Sequence, residues 1–210
     1  MSDAAHGGEA AGHEHHDPVA NRIGMWMFLL TEVLLFGTLF LFFASYFREY
    51  AADYHHAARQ LNRVIGAANT VVLLTSSLTM ALSIAALHAG RRNRSLAWMG
   101  ATVALALVFL VVKGFEWSHK FEVGLYLDSD VLLALPRGEV IFFGLYFVMT
   151  GLHALHVVIG GGLIGVTAWH VARGRVHAGR MSLVENAGLY WHLVDLVWIF
   201  LFPLFYLIGR

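Results

Sequence analysis

Four pairs of side chains in this chain could do chemistry, and each lies in or against an apolar stretch. Glu32 is the only charged residue in the run from Ile23 to Phe47 and stands tenth in it. At about 1.5 Å per residue it would lie roughly 13–14 Å into a hydrocarbon layer about 30 Å thick. A lone ionisable group at that depth costs at least ~2.5 kcal/mol, so it persists with a partner or a task. Burial favours the uncharged acid, and Glu32 with polar neighbours such as Thr31 is expected to form a protonatable cluster where helices touch. His153 and His156, in GLHALHVVIGGG, share a helix face at i, i+3. Lys113 and Glu116 have the same spacing, which reads as a local ion pair at the membrane interface, Lys113 snorkelling and Trp117 in an aromatic belt. His192 and Asp195 are again three apart and can hydrogen-bond each other or a shared neighbour, removing the cost of an unpaired buried acid.

Metal chemistry is the competing use of these imidazoles. The chain has 13 histidines and no cysteine, which excludes an iron–sulfur cluster, a thioether-linked haem and a thiolate copper centre. His170 follows His156 by fourteen residues, a spacing also seen where two haems stack between helices. That arrangement needs a second helix with a matching histidine pair, whereas the second apolar run ends at His88 and the last holds only His192. Hydrogen bonding between helices is the favoured reading, with no catalytic, cofactor or metal ligand assigned to this chain.

The elements that must position these groups follow from composition. The 210 residues are 58% hydrophobic and 13% charged, with mean hydropathy +0.64. Apolar runs at about 23–47, 64–88, 96–116, 140–169 and 188–208 are each long enough to span a bilayer. Strict alternation is absent, which argues against a membrane β-barrel. The expected fold is all-α, a polytopic bundle of five transmembrane helices over residues 22–210. The fourth run, about 45 Å long as a helix, must tilt or protrude. Its Gly161 and Gly165, at close-approach spacing, predict a packing face, with Trp191 and Trp198 of the last run as packing aromatics. Residues 1–21, carrying His6, His13, His15 and His16 among acids, read as a flexible polar tail rather than a signal peptide or a metal site. The segment 50–63 could form an interfacial helix through Tyr50, Tyr54 and Leu61.

Basic residues set the expected orientation. The connections AGRRNRS and ARGRVHAGR carry Arg91, Arg92, Arg94, Arg173, Arg175 and Arg180 with only Glu185 nearby. The other side has Arg48, Arg59, Arg63, Lys120 and Arg137. The bias favours a cytoplasmic N-terminus and an external C-terminus in a bacterial inner membrane.

The blocks LLTEVLLFG (Glu32), KGFEW (Glu116), TGLHALHVVIGG (His153, His156) and GLYWHLVDLVWIFLF (Trp191, His192, Asp195, Trp198) together resemble subunit III of the haem–copper respiratory oxidases. They occur in the family's order and cover every span except the second. The chain looks like the short bacterial form with five helices, lacking the first two of the longer form. The longer form's phospholipid cleft is lined partly by those missing helices, so no lipid-contacting residue is carried over.

The resemblance implies a non-catalytic component of a cytochrome c or quinol oxidase, a proton-pumping complex of aerobic respiration and electron transport. Haems and copper would reside in partner subunits and none here. The expected partners are subunit I chiefly, then subunit II, a small subunit IV and membrane lipids, including bound phospholipid, but no nucleic acid. The implied role is packing beside subunit I, supporting proton uptake and turnover stability. Two other readings are a related subunit of nitric oxide reductase and an independent haem protein or ion transporter.

Overall fold

A chain this apolar must satisfy its backbone polar groups within each spanning segment, and helices do that. The computed structural model describes residues 18–177 and 181–209. Its helices are α1 (Pro18–Glu49), α2 (Ala51–Arg59), α3 (Arg63–His88), α4 (Arg92–Glu122), α5 (Asp130–Leu133), α6 (Arg137–Ala172) and α7 (Ser182–Phe202), the last continued by a π-helical turn, Pro203–Leu207. Among the described residues there is no strand. Five helices are long and apolar enough to cross a membrane, as expected. The helix expected over 96–116 extends to 92–122, and α6 has 36 residues, about 54 Å. Residues 1–17 of the expected tail lie outside the described residues, and α1 already begins at Pro18.

The five spans do not contribute equally. α3 packs chiefly on α4, α6 on α7 and α4, and α7 on α3, forming a four-helix core. α1 leans on α6 and α7 from outside: 17% of its span is buried, against 50% in α6 and α7. Its buried apolar residues, Leu29, Phe36 and Phe43, recur every seven positions, the repeat of a narrow seam. Glu32 lies three residues after Leu29, in register with that seam.

At one end of the bundle, called here the α2 end, α2 folds back on the core. Residues 51–59 form a helix, but Tyr54 and Leu61 are buried in protein rather than laid on a membrane surface. Tyr54 meets Phe43, Phe47 and Phe142, and burial holds its hydroxyl above the ordinary phenol range. Asn62 then caps α3, its Oδ1 accepting from Val64 and Ile65 N–H at 3.0 and 3.2 Å. Glycine ends α3 and α4 in the left-handed region, Gly90 at φ 69° and Gly124 at φ 81°. The opposite end carries Arg91, Arg92 and Arg94 with Arg173 and Arg175. Arg173 stacks 4.4 Å over Trp169, and Arg92 donates to the Ala172 carbonyl.

Pro203 reshapes the last turn. It brings no N–H, and its ring crowds the carbonyl four residues back, so an α-register cannot pass through it unbroken. The chain shifts to a π-turn, which places Phe205 and Tyr206 fully inside.

Close approach falls on glycines other than those expected. Nothing stands within 4 Å of where a Cβ would be at Gly161 or Gly165, so this pair packs no described helix of the chain. Gly160 does the work, with Trp191 Cε3 2.8 Å from that point. Gly160→Ala is expected to lower the thermal midpoint by the equivalent of about 1–3 kcal/mol, and Gly161→Ala to leave it unchanged. Melting curves of the solubilised variants check the contrast.

Candidate functional site

Lys113 and Glu116 face inward from the C-terminal third of α4. The ion pair is formed, Nζ to Oε2 at 3.1 Å, but the residues are only 2% and 6% exposed. Lys113 therefore does not snorkel. Its ammonium also donates to Tyr146 Oη at 2.9 Å and Tyr206 Oη at 2.6 Å. Those hydroxyls donate in turn to Glu116, Tyr146 to Oε1 at 3.0 Å and Tyr206 to Oε1 at 2.7 Å. An ammonium has three donors and a phenol one, so every hydrogen is placed and the charges cancel. Lys113 lies besides over the rings of Tyr146, Trp198 and Tyr206, at 4.7, 5.3 and 5.3 Å. The network thus ties α4, α6 and the π-turn at one point. Trp117, expected in an interfacial belt, instead packs edge-on to Phe147 of α6, ring centroids 5.8 Å apart.

A second polar contact joins α1 to α6. Glu32 Oε2 is 2.8 Å from His156 Nε2, the side chains 14% and 10% exposed. His156 Nδ1 lies 2.7 Å from the Leu152 carbonyl of its own helix, an acceptor, so the Nδ1 proton is donated there. The Nε2–Oε2 contact then requires one further proton, held by either residue: a neutral pair or an imidazolium with a carboxylate. Phe36 meets the ring edge-on at 5.3 Å, and Tyr190 stacks at 6.4 Å. Chemically the pair can hold one proton with no net charge in either arrangement. Thr31 takes no part, because it is exposed and its hydroxyl donates to Phe28 O at 2.7 Å.

His153 and His156 therefore part company. His153 turns into the four-helix core between Phe109 and Trp198, ring centroids 5.5 and 5.2 Å away. Neither of its nitrogens has a hydrogen-bond partner among the described residues. His192 and Asp195 do not bond each other either. His192 Nδ1 is 2.7 Å from Ser77 Oγ, and Ser77 also neighbours Asp195, whose oxygens reach no good hydrogen-bond geometry among the described residues. Trp191 and Trp198 are buried and donate, to Ser76 Oγ at 3.1 Å and Thr70 Oγ1 at 3.0 Å. Among the described residues no three His, Asp or Glu side chains converge as a metal's ligand set would.

Tyr146, Tyr206, Ser77 and the buried state of Lys113 were not legible in the sequence. The tyrosines lie 33 and 93 residues from Lys113, and no local spacing encodes that meeting. The only signal was a lysine three residues before an acid in an otherwise apolar run.

Removing one member of the closed network leaves a buried charge unmatched. Lys113→Met and Glu116→Leu are each expected to cost about 3–5 kcal/mol, and the double variant far less than their sum. A double-mutant cycle on thermal stability measures this, and additive losses would show that the charges are not coupled.

The comparisons with known proteins agree with one another. The family model for cytochrome c oxidase subunit III matches residues 2–210. The chain is 34% identical over 203 residues to a cytochrome c oxidase subunit 3 of Synechocystis, covering 96% of this chain and 81% of that one. It is 32% identical over 196 residues to a probable quinol oxidase subunit 3 of Staphylococcus haemolyticus, covering 92% of each. A haem–copper oxidase subunit I+III of Aeropyrum pernix is 32% identical over 95% of this chain and 24% of its own length.

Proposed function

Because the chain belongs to the cytochrome c oxidase subunit III family and is an accessory subunit of a haem–copper oxidase, we propose that it packs against subunit I and sustains proton uptake and turnover there without a redox centre of its own. The relative from Aeropyrum pernix, named as subunit I+III in one chain, supports subunit I as the main contact. Subunit II and a small subunit IV complete the proposed assembly, with haems and copper held by the partners. In this reading the protein lies in a bacterial inner membrane, with the arginine-bearing end and the N-terminus cytoplasmic and the C-terminus external.

The observation that carries the reading is the Glu32–His156 contact at 2.8 Å. α1 is the least buried span, and among the described residues this is the hydrogen bond that joins its side chains to α6. A matched acid and imidazole stabilises such a seam by about 1–2 kcal/mol in a membrane. Losing either partner strands the other in hydrocarbon, which would loosen α1 and whatever packs on it. The pair works first as a fastener, and its shared proton lets it stay neutral while doing so.

The test separates fastening from proton handling. Glutamine at position 32 can still donate to His156 Nε2 but cannot exchange a proton, whereas leucine can do neither. Glu32→Gln is expected to keep the subunit bound and the number of turnovers before inactivation near that of the parent. Glu32→Leu and His156→Leu should both lower subunit retention and turnover lifetime several-fold. Equal losses in the glutamine and leucine variants would assign the role to the titrating proton instead. Subunit stoichiometry after purification and oxygen-consumption traces run to inactivation give the two readouts.

A further inference from the structure

The arginine-bearing end of the bundle carries positive charge that its own acids do not match. Arg91, Arg92 and Arg94 stand where α3 passes into α4, and Arg173 and Arg175 where α6 passes toward α7; all five are exposed. The two connections meet, since Arg92 donates to the Ala172 carbonyl. Arg173 and Arg175 lie 4.4 and 5.3 Å over Trp169, so a ring face rather than a carboxylate meets them. Of the described acids only Glu185 stands at this end, and it leans toward His88 at 3.4 Å. None of the five arginines has a carboxylate within ion-pair distance among the described residues. An open hollow of about 300 Å³ lies among Gly90, Arg91, Arg92, Asn93 and Arg94.

The complementary charge is in the chain itself. Residues 1–17, outside the described residues, contain Asp3, Glu9, Glu14 and Asp17 and no lysine or arginine. They join the fold at Pro18, where α1 begins. α1 runs parallel to α7, with Phe28 on Tyr190 and Phe40 on Phe200 at ring-centroid distances of 5.8 and 6.0 Å. The start of α1 therefore stands at the same end as the start of α7 and the arginines before it. Glu14 is four residues from Pro18 and Glu9 is nine, a reach of up to about 14 and 32 Å. Packed helix axes lie about 8–10 Å apart, and α1 packs on α6 and α7. Glu14 can thus meet the α6–α7 connection, and Glu9 and Asp3 the α3–α4 connection beyond it. A single exposed ion pair is weak, but a short tether holds its acids at a roughly millimolar effective concentration and lets several pairs act together.

We propose that the acidic segment 1–17 docks on the arginine-bearing end, Glu14 toward Arg173 and Arg175, and Glu9 and Asp3 toward Arg91 and Arg94. Docked there, it straps the start of α1, the least buried span, to connections on the far side of the core. This is a second hold on α1 beside the Glu32–His156 contact, made by charge and weakened by salt. An acidic stretch of a partner protein and anionic lipid headgroups are the rival occupants. The inference rests on the fold alone and not on which partner the chain joins.

The test applies phenylglyoxal, an arginine reagent, to the intact complex in its membranes at low ionic strength. Mass spectrometry reads the modification peptide by peptide, with Arg137, exposed at the α2 end, as internal reference. Arg91, Arg94 and Arg175 are expected to react roughly fivefold more slowly in the parent than in a triple variant, Asp3→Asn with Glu9→Gln and Glu14→Gln. Arg137 should react equally in both. Molar salt should bring the parent to the variant's rate, because the screening length falls to about 3 Å. Equal rates in parent and variant would overturn the proposal: fast in both leaves the arginines to solvent, and slow in both gives them to a partner's acids or to lipid headgroups. The chain has no cysteine, so Ala10→Cys with Asn93→Cys gives a second reading. Oxidation should link that pair within one chain, and several-fold less when the three acids are neutralised. A pair that fails to link with the acids in place would overturn the proposal as well.

Discussion

Hydrocarbon offers no hydrogen bond, so every polar group carried into it must be answered by the protein. That constraint is met most fully where Lys113, Glu116, Tyr146 and Tyr206 close on one another. The cluster draws its members from α4, α6 and the π-turn that ends α7, and its hydrogens are matched only when all these elements are in register. A buried ion pair is a weak source of stability, because desolvation offsets most of the attraction. Its effect is selective: a slipped helix would leave an ammonium or a carboxylate unmatched. Pro203 belongs to the same logic, since the π-turn that replaces the register it breaks is what brings Tyr206 inward.

Outside this rigid core the packing changes character. α1 joins α6 and α7 through a narrow seam of Leu29, Phe36 and Phe43, with Glu32 in the same register. One polar contact in an apolar seam gives specificity that aliphatic side chains lack in lipid, where burying more hydrocarbon gains little. The contact can carry its proton on either partner and remain neutral. Such a joint tolerates a shift in proton position without introducing a net charge into the membrane. The core and α1 thus meet the same constraint in two ways, one through a fully matched network and the other through a shared proton.

Several buried polar groups are not answered within the described residues. His153, Asp195 and Asn69 lie in the four-helix core without hydrogen bonds of good geometry. Asn69 is on α3, and Asp195 is beside Ser77 where α3 faces α7. Together with His153, set between Phe109 and Trp198, they give the bundle an interior that is not uniformly apolar.

What was readable from the residues alone was everything set by the solvent. Apolar runs of membrane length made the five helices and their order plain, and the depth of Glu32 demanded a partner. The motif blocks pointed to the family that the comparisons then showed. Identity of partners was another matter. Three-residue spacing put His153 beside His156 and His192 beside Asp195 on one face, yet the first two turned to different neighbours and the last two came together at Ser77 rather than on each other. A helix face about 100° wide can meet two other helices, and local sequence does not say which. Gly160 rather than Gly161 took the close approach for the same reason, as one residue rotates the contact by a third of a turn. Lys113 looked like a surface cation because its tyrosine partners are 33 and 93 residues away. The sequence by itself determined which groups needed answering in the membrane; only the packing of one helix against another decided who answered, because that choice depends on rotations and registers that no single segment contains.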